Sequence, residues 1–135
     1  MINMKKMFFT AIFAVLSVFA FGQTHSHQLS SHILDVSRGT PASGVKIRLE
    51  KQVAGTWTFV DEKTTDANGR ITDFLPGNTS NGIFKLTYLV SDYFKKNNTE
   101  SFYPFIEVVF QIRDEQHYHV PITLSAYGYS TYRGN

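Results

Sequence analysis

Hydrophobic and polar residues alternate in short runs along most of this chain. A strand turns successive side chains to opposite faces, so a period of two marks a strand that buries one face. The first run is Leu29 to Val36, ended by Arg38-Gly39-Thr40-Pro41. Val45-Lys46-Ile47-Arg48-Leu49 alternates cleanly, and Thr56 to Val60 follows an Ala54-Gly55 turn. Asp66-Ala67-Asn68-Gly69 reads as a tight turn in which Asn-Gly supplies positive φ. From Gly82 to Val90, the set Phe84, Leu86, Tyr88, Val90 opposes Ile83, Lys85, Thr87, Leu89. Ser91 to Lys96 predicts one short helix, with Ser91 as N-cap, Asp92 early and Lys95-Lys96 late. Pro104 to Ile112 is a further strand, and His117 to Leu124 and Tyr127 to Arg133 close a hairpin through Ser125-Ala126. Seven or eight short strands with one helical turn predict an all-β sandwich in a single domain.

The strand from His117 carries a pattern that core packing does not explain. Tyr118, Val120, Ile122 and Leu124 form its apolar face, while His117, His119, Pro121, Thr123 and Ser125 form the other. Both histidines therefore point away from the core, toward solvent, a partner subunit or a ligand. On the first strand, Leu29, Ser31 and Ile33 alternate with Ser30, His32 and Leu34, and the pattern leaves open which set faces the core. Of the aromatic residues beyond the N-terminal segment, most lie within the strands, where they are read as core.

Charge and composition set modest bounds. The net charge of +2 resides in Lys5 and Lys6, and from Gln23 onward acids and bases balance, so nothing suggests a nucleic-acid partner. With no cysteine, disulfides, thiolate metal sites, a cysteine nucleophile and a lipid anchor on cysteine are excluded. Lys5-Lys6, the mostly apolar run Met7 to Phe21 and the small residues Ala20 and Gly22 predict a signal peptide over residues 1–22. The mature domain, residues 23–135, is then expected to be exported, periplasmic or secreted, with no membrane attachment after cleavage. A free amine on Gln23-Thr24-His25 would offer a square-planar copper or nickel site.

Three polar groups could carry chemistry: the His117/His119 pair, Arg70 just past the Asn-Gly turn, and His32. A neutral imidazole takes a proton from water near neutral pH, and a second orients it or protonates a leaving group. Arginine holds a planar anionic heterocycle through its forked donors. That set suits hydrolysis of a ring amide. No serine lies in a Gly-x-Ser-x-Gly elbow, and no Ser-His-Asp triad is evident. His-x-His on a strand with a third histidine equally fits a zinc site, and spacing alone leaves the two readings open.

Several segments together resemble the transthyretin-related 5-hydroxyisourate hydrolases. They are His117-Tyr118-His119-Val120-Pro121, the ending Tyr127-Gly128-Tyr129-Ser130-Thr131-Tyr132-Arg133-Gly134, and the opening Ser31-His32-Ile33-Leu34-Asp35 with Gly39-Thr40-Pro41-Ala42. Asp66-Ala67-Asn68-Gly69-Arg70 and Asp92-Tyr93-Phe94-Lys95-Lys96 match as well, so the resemblance runs from about Leu29 to the end. It implies a transthyretin-like sandwich of two four-stranded sheets, assembled as a dimer of dimers with active sites in the channel between dimers. It implies hydrolysis of 5-hydroxyisourate to 2-oxo-4-hydroxy-4-carboxy-5-ureidoimidazoline in urate catabolism, with no cofactor and no metal. His32, Arg70 and His119 take the catalytic positions, and Tyr132 joins them in holding the substrate. His117, Ser130, Arg133, Gly134 and Asn135 support the site. By alternation Tyr132 should share the face of Ser130 and Gly128. The family usually ends in serine where this chain ends in Asn135, which has no hydroxyl. The competing classes are a non-catalytic carrier of the same fold and a histidine-rich metal-binding protein.

Overall fold

A computed structural model describes residues 25–135. The expected signal peptide, residues 1–22, lies outside the described residues. Nine strands and one helix follow: β1 (His27–Asp35), β2 (Thr40–Pro41), β3 (Lys46–Val53), β4 (Thr56–Thr64), β5 (Arg70–Pro76), β6 (Gly82–Leu89), α1 (Ser91–Lys96), β7 (Ile106–Ile112), β8 (Tyr118–Ser125) and β9 (Gly128–Thr131). They form two sheets. One is ordered β4-β3-β6-β7. The other runs β5-β1-β8-β9, with the two-residue β2 added beside the end of β1 on the same side as β5. The predicted sandwich is therefore the observed one.

Alternation explains the core. Leu29 and Ile33 of β1, Ile47 and Leu49 of β3, Phe84, Leu86 and Tyr88 of β6, and Ile122 and Leu124 of β8 are almost fully buried between the sheets. Each such side chain contributes roughly 1.5–3 kcal/mol of transfer free energy. A pair of buried hydroxyls crosses this apolar layer. Ser31 Oγ donates to the Val120 carbonyl at 2.8 Å and lies 2.9 Å from Tyr88 Oη. Ser31 thus ties β1 to β8 and to the opposite sheet, directly beneath the outward residues that flank it. At the end of β1, Tyr93 of α1 donates to Asp35 Oδ2 at 2.6 Å, and Ser37 donates to Oδ1 of the same carboxylate. Burial, then the hydrogen bond to Asp35, pushes the Tyr93 phenol up to about 12.

Two local expectations are corrected. Val90, not Ser91, is the N-cap of α1, because the Ser91 hydroxyl donates instead to the Pro104 carbonyl at 2.7 Å. In the turn before β5 only Gly69 has positive φ (71°), and Asp66 Oδ1 receives the Asn68 and Arg70 amides, which holds the turn without a left-handed asparagine. Gly69 is required there twice over. A Cβ would stand 2.7 Å from the Ile33 carbonyl oxygen, and the positive φ itself disfavours a side chain.

Candidate active site

The central strands of the second sheet, β1 and β8, run parallel, with Ser30 opposite His119 and His32 opposite Pro121. Burial of Leu29, Ser31 and Ile33 settles which set of β1 faces the core, so Ser30 and His32 point outward with His117 and His119. On the other side of β1, Arg70 of β5 lies opposite His32. A β-bulge makes this possible. Leu29 and Ser31 pair with Phe74 and Ile71, so β5 carries one extra residue between them. Strict alternation would put Arg70, Thr72 and Phe74 on one face. The bulge instead lets Ile71 and Phe74 both enter the core while Arg70 stays exposed beside His32. The structure thereby gathers His32, Arg70 and His119 on one outward face.

All three outward imidazoles have their pKa lowered below 6.5, chiefly through burial. For His119 the Arg70 guanidinium comes next, followed by His32 and His117. For His32 the second cause is again Arg70, partly offset by a hydrogen bond with the Asn68 backbone and by Asp66. The neutral form of each ring is therefore favoured near pH 7. Among the described residues, no carboxylate lies within ion-pair distance of Arg70. The face thus joins two partly buried imidazoles, His32 and His119, to a guanidinium.

His117 enters through Ser30, a residue that the sequence pattern does not single out. Ser30 Oγ lies 2.8 Å from His117 Nε2 and 2.7 Å from His119 Nδ1. The signal for it is its place on a strand face shared with His32, two residues on. Of each ring's nitrogens, His117 uses both in hydrogen bonds and His119 uses Nδ1, and among the described residues Nε2 of His119 has no hydrogen-bond partner. Among the described residues, no set of three or more His, Asp or Glu side chains is arranged to hold a metal ion.

The C-terminal segment divides between this face and another. Gly134 donates its amide to the His119 carbonyl at 2.8 Å, and a Cβ there would stand 2.5 Å from His119 Cδ2. Only a glycine lets the backbone lie against the ring. Ser130 hydrogen-bonds Thr123 on the same outward face. Tyr132 departs from the expected alternation, because β9 ends at Thr131. It lines a cavity of about 490 Å³ with Val108, Phe110 and Arg133 at the edge between β7 and β9. Arg133 also turns from the histidines. Its guanidinium carbon lies 4.1 Å from the centre of the Tyr118 ring, on the opposite side of β8 from His119. Asn135 is exposed at the chain end.

Residues 29–134 match the family model described as HIUase/Transthyretin family. A Caenorhabditis elegans protein named "Probable 5-hydroxyisourate hydrolase" is 45% identical over 129 residues, covering 94% of this chain and 96% of that one. The solved 5-hydroxyisourate hydrolase of Klebsiella pneumoniae superposes with a TM-score of 0.69 at 36% identity, covering 79% of this chain and 98% of that one. Sea bream transthyretin in complex with thyroxine superposes with a TM-score of 0.75 at 29% identity, covering 79% and 94%. Backbone likeness thus spans a hydrolase and a thyroxine complex alike, and the side chains must distinguish them.

Proposed function

The chain belongs to the HIUase/Transthyretin family, and from that premise we propose that its His32–Arg70–His119 face is the active site of a hydrolase for 5-hydroxyisourate. The reaction yields 2-oxo-4-hydroxy-4-carboxy-5-ureidoimidazoline. Water adds to a carbonyl carbon of the six-membered ring and the adjoining C–N bond breaks. The proton lost by water passes to a neutral imidazole, and a proton is delivered to the departing nitrogen. The new carboxylate and the ureido group account for every atom of substrate and water. Arg70 holds the anionic heterocycle and steadies charge on the carbonyl oxygen as it develops.

One observation carries this reading: two half-buried imidazoles of lowered pKa share a face with a guanidinium that forms no ion pair among the described residues. A carrier of the same fold needs neither proton acceptors nor a fixed cation at that place. The test is the ultraviolet absorbance of 5-hydroxyisourate made freshly from urate. Decay should accelerate in proportion to protein concentration. Stoichiometric binding with no acceleration would make the protein a carrier.

The active unit is a homotetramer, a dimer of dimers, in which a second copy covers the histidine face. What supports this is that the face is only half-buried in one chain, where water weakens every electrostatic contact. Light scattering across a dilution series should show activity falling as the tetramer dissociates. The domain, residues 23–135, acts after export and cleavage of residues 1–22, supported by the Lys5-Lys6, apolar, small-residue order of the N-terminus. N-terminal sequencing of exported protein should begin at or near Gln23.

A further inference from the structure

Ser30 lies between two imidazoles with one proton to give, and that arithmetic fixes the direction of every hydrogen bond around it. The chain of contacts begins at the His27 carbonyl, which can only accept, so His117 Nδ1, 2.7 Å away, is the donor. A neutral imidazole that donates through Nδ1 has a bare Nε2. The Ser30 hydroxyl, 2.8 Å from that nitrogen, must therefore donate to it. Its only proton is then spent, so toward His119 Nδ1, at 2.7 Å, Ser30 Oγ acts as acceptor and His119 Nδ1 carries the hydrogen. A neutral His119 with hydrogen on Nδ1 presents an unprotonated Nε2.

From this geometry, and resting on the hydrolase reading above, we infer that Ser30 and His117 are positioning residues that lock His119 in its Nδ1–H tautomer, leaving Nε2 as the atom that takes the proton from water. The functional part of the chain ends at His119, and neither Ser30 nor His117 touches the substrate. The orientation of the chain depends on His117 being neutral, because an imidazolium would donate from both nitrogens and reverse Ser30. Burial, and the neighbouring His25 ring stacked on it at 3.8 Å between centroids, disfavour that charge and outweigh the hydrogen bond to the His27 carbonyl, which favours it. The ring of His119 is held on a second side by Gly134, so its plane as well as its tautomer is fixed. The parallel pairing of Ser30 with His119 supplies the short reach, since their Cα atoms are register partners.

The assignment is tested first without any substrate. Nitrogen-15 shifts of the wild-type His119 ring at neutral pH should report hydrogen on Nδ1 and a bare Nε2. In Ser30→Ala the preference for that tautomer should be lost. In kinetics, Ser30→Ala should lower kcat by about 10–100-fold with little change in KM, the range found when a partner that orients a metal-bound imidazole is removed. Ser30→Thr, which keeps a hydroxyl, should recover much of the loss. If Ser30→Ala does not fold, His117→Asn probes the same chain, and the wild-type spectrum decides by itself. A wild-type His119 with hydrogen on Nε2 would overturn the relay even in a fully active enzyme, as would a Ser30→Ala protein with unchanged tautomer and kcat. The stated tautomer in a protein that does not hydrolyse 5-hydroxyisourate would leave the relay standing and remove the hydrolase reading instead.

Discussion

The two sheets present opposite kinds of outer surface. On β3, β4 and β6 most cations have a carboxylate beside them: Arg48 and Glu62 at 3.0 Å, Lys85 and Glu50 at 3.7 Å, Lys85 and Glu107 at 3.6 Å. These are exposed or partly exposed pairs, and such pairs contribute little individually. On the outer face of β5-β1-β8-β9, Arg70 has no carboxylate at that distance among the described residues, and the three imidazoles of that face have their pKa values lowered chiefly by burial. Charge density does not distinguish the faces, because the paired face carries more of it. Compensation does. A field cancelled locally is a solvated wall, whereas one left open next to neutral proton acceptors binds and transforms an anion.

The largest expected effect follows from removing that open field or its partner imidazole. Arg70→Ala and His32→Ala should each lower kcat/KM by about 2–4 orders of magnitude, with far-ultraviolet circular dichroism unchanged. Near wild-type turnover in either would erase the distinction between the faces. Next comes Gly134→Ala, whose Cβ would collide with the His119 ring. Displacing a reacting group by about 1 Å costs on the order of 10²-fold, and kcat should carry that loss.

The pH dependence sharpens the comparison further. Burial first, then Arg70, holds His119 and His32 below 6.5, so their neutral forms persist to lower pH than an ordinary histidine. The acid limb of kcat/KM should therefore lie below pH 6.5. Arg70→Ala removes the second cause, and the limb, measured on the residual activity, should move upward. The same shift has a stability sign. Below 6.5 the unfolded chain binds protons that the folded face refuses, so the contribution is whole above that pH and is lost as pH falls toward the lowered values. Denaturant titrations across pH 5–7 measure it. The smallest effect belongs to the paired face. Arg48→Ala should cost no more than about 1 kcal/mol of stability and leave turnover untouched.

Much of the fold and of the site is legible in the amino-acid sequence, and the exceptions share a cause. Strands, their inward sets and the outward turn of His117 and His119 follow from local alternation, and the folded chain keeps them. His32 has no local orientation signal, because its direction depends on β1 pairing in parallel with β8, about 90 residues away. The position of Arg70 beside His32 depends on a bulge that breaks the alternation of β5, and nothing in Arg70-Ile71-Thr72-Asp73-Phe74 announces it. Tyr132 fails for the opposite reason: alternation stops with the end of β9, one residue short of it. Ser91 looks like a cap until Pro104 offers its carbonyl from the next connection. The roles of Ser30 and Gly134 become clear only when β8 and the C-terminal residues are placed against β1.

Turnover of freshly made 5-hydroxyisourate by His119→Ala beside wild type, both treated with a chelator, tests the uncompensated face most directly. Wild type should keep its full rate without metal. The variant, folded and assembled as wild type, should fall by about 2–4 orders of magnitude. A His119→Ala protein with near wild-type turnover, or a wild-type protein whose activity disappears with the chelator and returns with zinc, would contradict the account.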